Sequence, residues 1–146
     1  REEEREMLPL CEAEGVGVIP WSPLARGRLA RPMGEETVRS KTDGFGKVIY
    51  PEDAADSAII GVLSELAEQR GDSMASLALA WHFTKPAVTA PIVGATKPHH
   101  LEAAFEGIDL TLAEEEVAAL EAPYRPKFPT AMGMPLHEPH SGSVRT

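Results

Sequence analysis

The stretch that most restricts the fold is a short apolar run, residues 88–93, passing directly into Gly94-Ala95-Thr96-Lys97-Pro98. An apolar run of that length reads as a buried strand. Gly94 lets the chain turn sharply off it. Thr96 or Lys97 then takes a helix N-cap, and Pro98 takes the first helical position, where its missing N–H costs nothing. Behind it, Leu101, Ala104, Phe105 and Ile108 recur at one-face helical spacing. The unit is a strand aimed at the positive end of a helix, with a hydroxyl and an ammonium at the tip. Such a tip suits an anion, most often a phosphate. A plain strand-to-helix turn has the same spacing, so the phosphate reading needs a second feature.

The chain has 146 residues, enough for one domain. Its formal charge of -9 argues against nucleic acid as a partner, because a phosphate backbone demands a basic face. No window approaches the apolar run a membrane helix needs. Cys11 is the single cysteine, which excludes an internal disulfide and a cysteine zinc site and makes a reducing cytoplasm the simplest expectation. The charged start, Arg1-Glu2-Glu3-Glu4-Arg5-Glu6, does not read as a signal peptide. It lacks an initiator Met and begins inside an uncapped helical pattern, so the chain reads as cut from something longer.

In order, residues 1–14 are expected to form a helix with Met7, Leu10 and Cys11 on one face, ended by Gly15. Residues 16–20 form a short strand, with Gly17 marking close backbone packing. Helix, tight loop and strand are the habit of a parallel α/β fold. The segment Trp21-Ser22-Pro23-Leu24-Ala25-Arg26-Gly27-Arg28-Leu29 follows, an aromatic and a Ser-Pro turn at a strand's C-terminal end, where α/β proteins place ligand contacts. The bland alternative is a core Trp21 and a plain turn. Residues 30–54 lack periodicity and suggest a flap pinned by Phe45, Val48, Ile49 and Tyr50. Residues 54–70 form a helix with Ile59, Val62, Leu63, Leu66 and Ala67 inward. Asp72 or Ser73 caps a second helix to about Thr84, with Met74, Leu77, Ala78 and Trp81 on one face. Thr111-Leu112-Ala113-Glu114 reads as a capping box that starts a helix to about Ala122, with Val117 and Leu120 inward. Two domain-level segments result: an ordered portion, 1–126, and a Pro-, Gly- and Ser-rich tail, 127–146, expected to be poorly ordered.

Other candidate sites fall away on inspection. His99 and His100 are adjacent and point apart on a helix, with no ligand partner at metal spacing. His137 and His140 sit in the Pro-rich tail. The Gly-Ala-Thr-Lys run is not a Walker A motif, and no G-x-G-x-x-G exists. Ser22 lacks a nucleophile elbow. Acidic neighbours of Cys11 discourage a thiolate. The acidic runs 2–6 and 114–116 are solvated helix faces.

The pair Gly15-Val16-Gly17-Val18-Ile19-Pro20-Trp21-Ser22-Pro23-Leu24-Ala25-Arg26-Gly27 and Pro91-Ile92-Val93-Gly94-Ala95-Thr96-Lys97-Pro98 closely resembles the aldo-keto reductases. The spacing between the two and the helix ending in Ala78-Leu79-Ala80-Trp81 fit as well, and the likeness covers roughly residues 1–126. It looks most like a bacterial branch with an aromatic followed by S-P-L-A-x-G. The resemblance implies an α/β fold, the (β/α)8 TIM barrel, and use of NADP(H) to interconvert carbonyls and alcohols. It makes this chain a C-terminal fragment of the barrel, holding strands seven (16–20) and eight (88–93), their helices, and the family's two extra helices (72–84 and 111–122).

By the same resemblance Trp21 stacks on the nicotinamide. Ser22, Pro23, Leu24, Ala25 and Gly27 match the loop that wraps the pyrophosphate. Gly94, Thr96 and Lys97 match the loop that grips the adenosine 2′-phosphate. His100 falls where many members place Arg or Gln at the adenine end, and Ala103 and Ala104 where they often have Glu and Asn. The family's catalytic Asp, Tyr, Lys and His lie on strands two to four, which nothing here matches. Neither Tyr50 nor Tyr124 carries over as the proton donor, so no catalytic residue is assigned. The expected partners are a small carbonyl substrate and the missing N-terminal part of the barrel, with no nucleic acid and no membrane. A non-catalytic nucleotide-sensing subunit on the same fold, or a helical interaction module with incidental strands, are the alternatives.

Overall fold

A proline near the start decides how the chain begins. The periodicity predicts one helix over residues 1–14, but Pro9 has no N–H for the carbonyl four residues back, and its ring would strike that carbonyl. In the computed structural model a 3-10 turn, Glu2–Glu4, precedes a separate helix α1, Met7–Ala13. Pro9 thereby falls in the first turn of α1, where a missing donor is harmless. Gly15 leaves it at φ 65°, as expected. The structure describes residues 1–35, 43–50, 54–126, 130–131 and 134–135.

The segments expected as strands, 16–20 and 88–93, run side by side and parallel, but each is reduced to isolated bridges: Val18↔Val88 and Trp21↔Ile92. The Val18 amide donates to the Ala87 carbonyl (2.8 Å), and the Thr89 amide to the Val18 carbonyl (2.8 Å). The next rung would need amides from Pro20 and Pro91, and neither has one. Pairing resumes where the Ile92 amide reaches the Pro20 carbonyl (2.9 Å), with one extra residue on the later segment, as in a bulge. Gly17 faces the Thr89 side chain: a Cβ there would overlap Thr89 Oγ1, so the expected close packing is against this side chain rather than backbone.

Helices carry the rest. They are α2, Gly44–Ile49; α3, Ala54–Arg70; α4, Met74–Phe83; α5, Pro98–Asp109; and α6, Glu114–Glu121. Helix α4 is the centre of the core. Ser73 caps it by accepting from the Ser76 amide (3.0 Å), and Met74 and every residue from Ser76 to Ala80 are buried. Helix α3 brings Ile60, Leu63 and Ala67 to it, so the buried stripe is centred on Ile60 rather than Ile59. Helix α5 crosses α4 at Gly107, the one buried residue of α5. Its expected core stripe is therefore the wrong face: Leu101, Phe105 and Ile108 are exposed, Phe105 at 65%. That stripe is the side left over when α5 lies on α4.

The capping box at 111–114 does not form. Leu110 and Leu112 pack against the core cluster and keep the chain extended there. Helix α6 instead begins after Ala113, whose amide donates to Glu116 Oε2 (2.7 Å), while Arg70 holds the same carboxylate. Helix α2 lies in the expected flap, capped by Asp43, which accepts from the Gly46 amide (2.9 Å). The side chains of Phe45 and Val48, expected to pin the flap, lie outside the described residues, as do 36–42 and 51–53. So does most of the expected tail, 127–146. Within it β1, Thr130–Ala131, pairs antiparallel with β2, Met134–Pro135. Among the described residues no helix is long and apolar enough to cross a membrane.

Candidate cofactor-binding site

The Trp21↔Ile92 bridge sets the geometry of the site. The two segments are parallel, so the loops that leave them, Ser22 onward and Gly94 onward, emerge from the same end. These are the C-terminal ends of paired parallel strands, where α/β folds bind ligands. Trp21 sits on the bridge itself, and every other cofactor residue expected from the sequence lies on one of these loops or in the first turn of α5.

The first loop is tight and strained. Ser22, Ala25 and Arg26 have positive φ (55°, 46° and 57°), and Gly27 follows at 92°. Each non-glycine residue held there costs on the order of 1 kcal/mol. The chain accepts this because a turn closes at each step: the Ala25 amide donates to the Ser22 carbonyl (2.9 Å), and the Gly27 amide to the Leu24 carbonyl (2.8 Å). Leu24, at φ -100° and ψ 17°, precedes left-handed Ala25. That alternation is the backbone pattern of an anion-binding nest; the Ala25 and Gly27 amides are used inside the loop, while the Leu24 amide makes no backbone hydrogen bond among the described residues. Leu24 and Leu29 reach down to the core cluster, Pro23 is buried, and Trp21 stands 64% exposed with its ring available.

Three contacts that sequence reasoning missed hold this loop. His82, at the end of α4, meets the Pro23 carbonyl at 3.1 Å. A carbonyl only accepts, so His82 Nε2 carries the proton. Burial holds this imidazole below its ordinary pKa, with the hydrogen bond to Pro23 working the other way. On the other side Arg26 grips Asp43 with two bonds (2.6 and 3.0 Å), and Arg28 donates to the Tyr50 carbonyl (2.9 Å). These tie the loop to both ends of α2. No periodicity or motif pairs Arg26 with Asp43, or His82 with Pro23.

The second loop is open. Gly94, Thr96 and Lys97 are exposed. Lys97 is the N-cap of α5 and Pro98 its first residue; the Lys97 side chain caps nothing and is left to project. Helix α5 is 12 residues long, enough to carry a useful positive end. His100 Nδ1 accepts from the Thr96 amide (3.3 Å), so this imidazole orders the loop from within, and His99 lies edge-on to it.

Tyr124 belongs elsewhere. Its hydroxyl meets the Glu2 carboxylate and its ring lies under Arg1. Its pKa is pushed up to about 12 by burial first and by Glu2 second. Arg1, Glu4, Lys85 and Glu121 join the same network, with Trp81 Nε1 donating to Glu121 (2.9 Å). It ties the start of the chain to the ends of α4 and α6. An open groove of about 500 Å³, lined by Arg31, Glu68 and Met74 among others, includes none of the expected cofactor residues. Among the described residues no group of three or more His, Cys, Asp or Glu is placed to hold a metal ion.

Residues 1–125 match the model of the Aldo/keto reductase family. The chain is 48% identical over 128 residues to a Schizosaccharomyces pombe protein named as an aryl-alcohol dehydrogenase, covering 86% of this chain and 36% of that one. It is 44% identical over 130 residues to the versiconal hemiacetal acetate reductase of Aspergillus parasiticus, covering 87% of this chain and 38% of that one. Both relatives are fungal. Among solved structures, a thermostable aldo-keto reductase in complex with the inhibitor epalrestat matches with a TM-score of 0.56 at 25% identity, over 84% of this chain and 35% of that one. The chain thus spans little more than a third of the length of the relatives it matches.

Proposed function

The chain belongs to the aldo/keto reductase family, whose fold is the (β/α)8 barrel, and from that premise we propose that it is the cofactor-binding C-terminal portion of an NADP(H)-dependent carbonyl reductase. The observation that carries this reading is the Trp21↔Ile92 bridge, which brings both motif loops to one end of a parallel pair. The residues present fit a dinucleotide. An exposed indole, a left-handed backbone turn, and a lysine at a helix N-terminus whose side chain makes no capping bond suit an aromatic ring, a pyrophosphate and a further phosphate in turn.

In this reading Trp21 offers a flat apolar surface that orients the ring and keeps water from it. The Ser22–Gly27 loop receives negative charge through an amide not spent within it, that of Leu24, at little reorganisation cost because the loop is already held. Lys97 and the Thr96 hydroxyl take the terminal phosphate, where a charge-assisted bond is roughly twice as strong as a neutral one. When bound, the nicotinamide supplies the hydride. In this reading the acid that completes a carbonyl reduction comes from outside this chain; Tyr124 is tied to Glu2 and Arg1. The substrate class follows from the same reading: small carbonyl compounds, reduced in the cytoplasm.

The test is NADPH titration of the intact protein that carries this segment, followed by tryptophan fluorescence. Trp21 and Trp81 are the segment's two tryptophans, and Trp81 is half-buried and hydrogen-bonded to Glu121. The difference in quenching between wild type and Trp21→Phe isolates the first. Saturable quenching that Trp21→Phe diminishes supports the reading; no binding, or identical quenching in both, contradicts it.

A further inference from the structure

The Pro23 carbonyl faces out of the Ser22–Ala25 turn toward the helical layer, where His82 meets it. Ser22 and Leu24 carbonyls are used inside the loop, by the amides of Ala25 and Gly27. Pro23 is buried, so water cannot serve its carbonyl freely, and His82 Nε2 supplies the bond at 3.1 Å. The described chain has no cis peptide bond. In a trans peptide the carbonyl and the following amide point in opposite directions. A Pro23 carbonyl drawn toward α4 therefore turns the Leu24 amide away from α4. Among the described residues that amide makes no backbone hydrogen bond.

We infer that His82 is a positioning residue: by holding the Pro23 carbonyl it fixes one peptide plane in a strained loop and aims the Leu24 amide at the anion the loop receives. The anchor is suitably rigid, because α4 is the most buried helix and His82 is part of it. The loop needs such an anchor, because Ser22, Ala25 and Arg26 would relax from positive φ without outside constraints. The role of the anion rests on the function proposed above; the anchoring of the loop does not.

Hydrogen exchange on the intact protein, free of cofactor, reads the anchoring directly. His82→Leu should speed amide exchange over residues 22–29 about five- to tenfold, the population change that follows from losing one hydrogen bond of ordinary net strength. Residues 74–81 of α4 should exchange as in wild type. His82→Gln, whose amide N–H can stand near the Nε2 position, should bring the loop back to within about twofold of wild type. The NADPH dissociation constant should rise by a similar factor in His82→Leu and recover in His82→Gln. An unchanged loop in His82→Leu, or loop and helix accelerated together, overturns the inference, as does a faster loop with unaltered NADPH affinity. If wild type binds no NADPH, the function falls and the exchange comparison alone decides for or against the anchor. Nitrogen-15 NMR of the wild-type imidazole needs no variant: at neutral pH it should find His82 in the Nε2–H tautomer, and an Nδ1–H tautomer contradicts the anchor.

Discussion

Gly107 lies directly on the backbone of Ser76: a Cβ built on it would sit 2.8 Å from the Ser76 carbonyl oxygen and 2.9 Å from the Leu79 Cβ. Neither atom is the free end of a flexible side chain, so the helices α5 and α4 must separate to admit a methyl group. Gly107→Ala should destabilise the intact protein by about 1–3 kcal/mol, the usual cost of overpacking, despite alanine's better helix propensity. A denaturant melt measures it. An unchanged midpoint would show that the α4–α5 crossing has slack.

The helices and the two site motifs were legible in the sequence because their signals are local: Ser73 as a cap, Gly15 and Gly71 as stops, Pro98 at the start of α5. The misreadings came from long-range packing or from one overlooked residue. Pro9 divides the first helix although the periodicity runs through it. Leu110 and Leu112 were wanted by the core, which shifted the start of α6 past the apparent capping box. The α5 stripe was correctly read as apolar, but among the described residues Leu101, Phe105 and Ile108 stay exposed, because α5 meets α4 through Gly107 on another face. Nothing local marks His82 or Asp43 as supports of the Ser22–Gly27 loop; their partners lie 59 and 17 residues away.

Lys97 should decide between the two nicotinamide cofactors. Its side chain caps nothing at the start of α5 and is exposed beside Thr96. In the intact protein Lys97→Ala should weaken NADPH by about 1.5–3 kcal/mol, the value of a hydrogen bond to a charged group, and leave NADH nearly unaffected. Dissociation constants for both cofactors check this. Equal losses would place Lys97 away from the 2′-phosphate.

Acidification should destabilise the fold through His82 before the carboxylates contribute. Burial depresses the His82 pKa below its unfolded value near 6.5. Between the two values the unfolded chain binds more protons, so stability is complete above the unfolded pKa and falls as pH drops toward the folded one. Glu4 and Glu116 are also held below their ordinary range; for Glu4 burial opposes that shift and Arg1 and Lys85 outweigh it, while Arg70 is the main cause for Glu116. Their contribution is lost at lower pH. Thermal midpoints at pH 7.5 and 5.5 should fall more steeply for wild type than for His82→Gln. Parallel slopes would mean that His82 titrates alike in both states.

The 146-residue chain by itself should associate. Ile19, Ile92, Phe105 and Ile108 are exposed, and the paired segments end in bridges with no third strand beside them among the described residues. An unpaired edge and uncovered apolar surface promote self-association. Sizing and dye binding on the purified chain should find oligomers that bind a hydrophobic dye. A dispersed monomer with a sharp two-state melt would mean that the chain is an autonomous folding unit.

Reduction of an aromatic aldehyde, followed as NADPH oxidation, tests the central claim most directly, because it separates the cofactor site from the acid–base machinery. The intact protein should turn over with NADPH. The isolated chain should show no rate above the uncatalysed background, since even one missing acid–base group costs about 10²–10⁴ in rate. NADPH-dependent reduction by the pure 146-residue chain, or an intact protein that uses neither nicotinamide cofactor, would contradict the account.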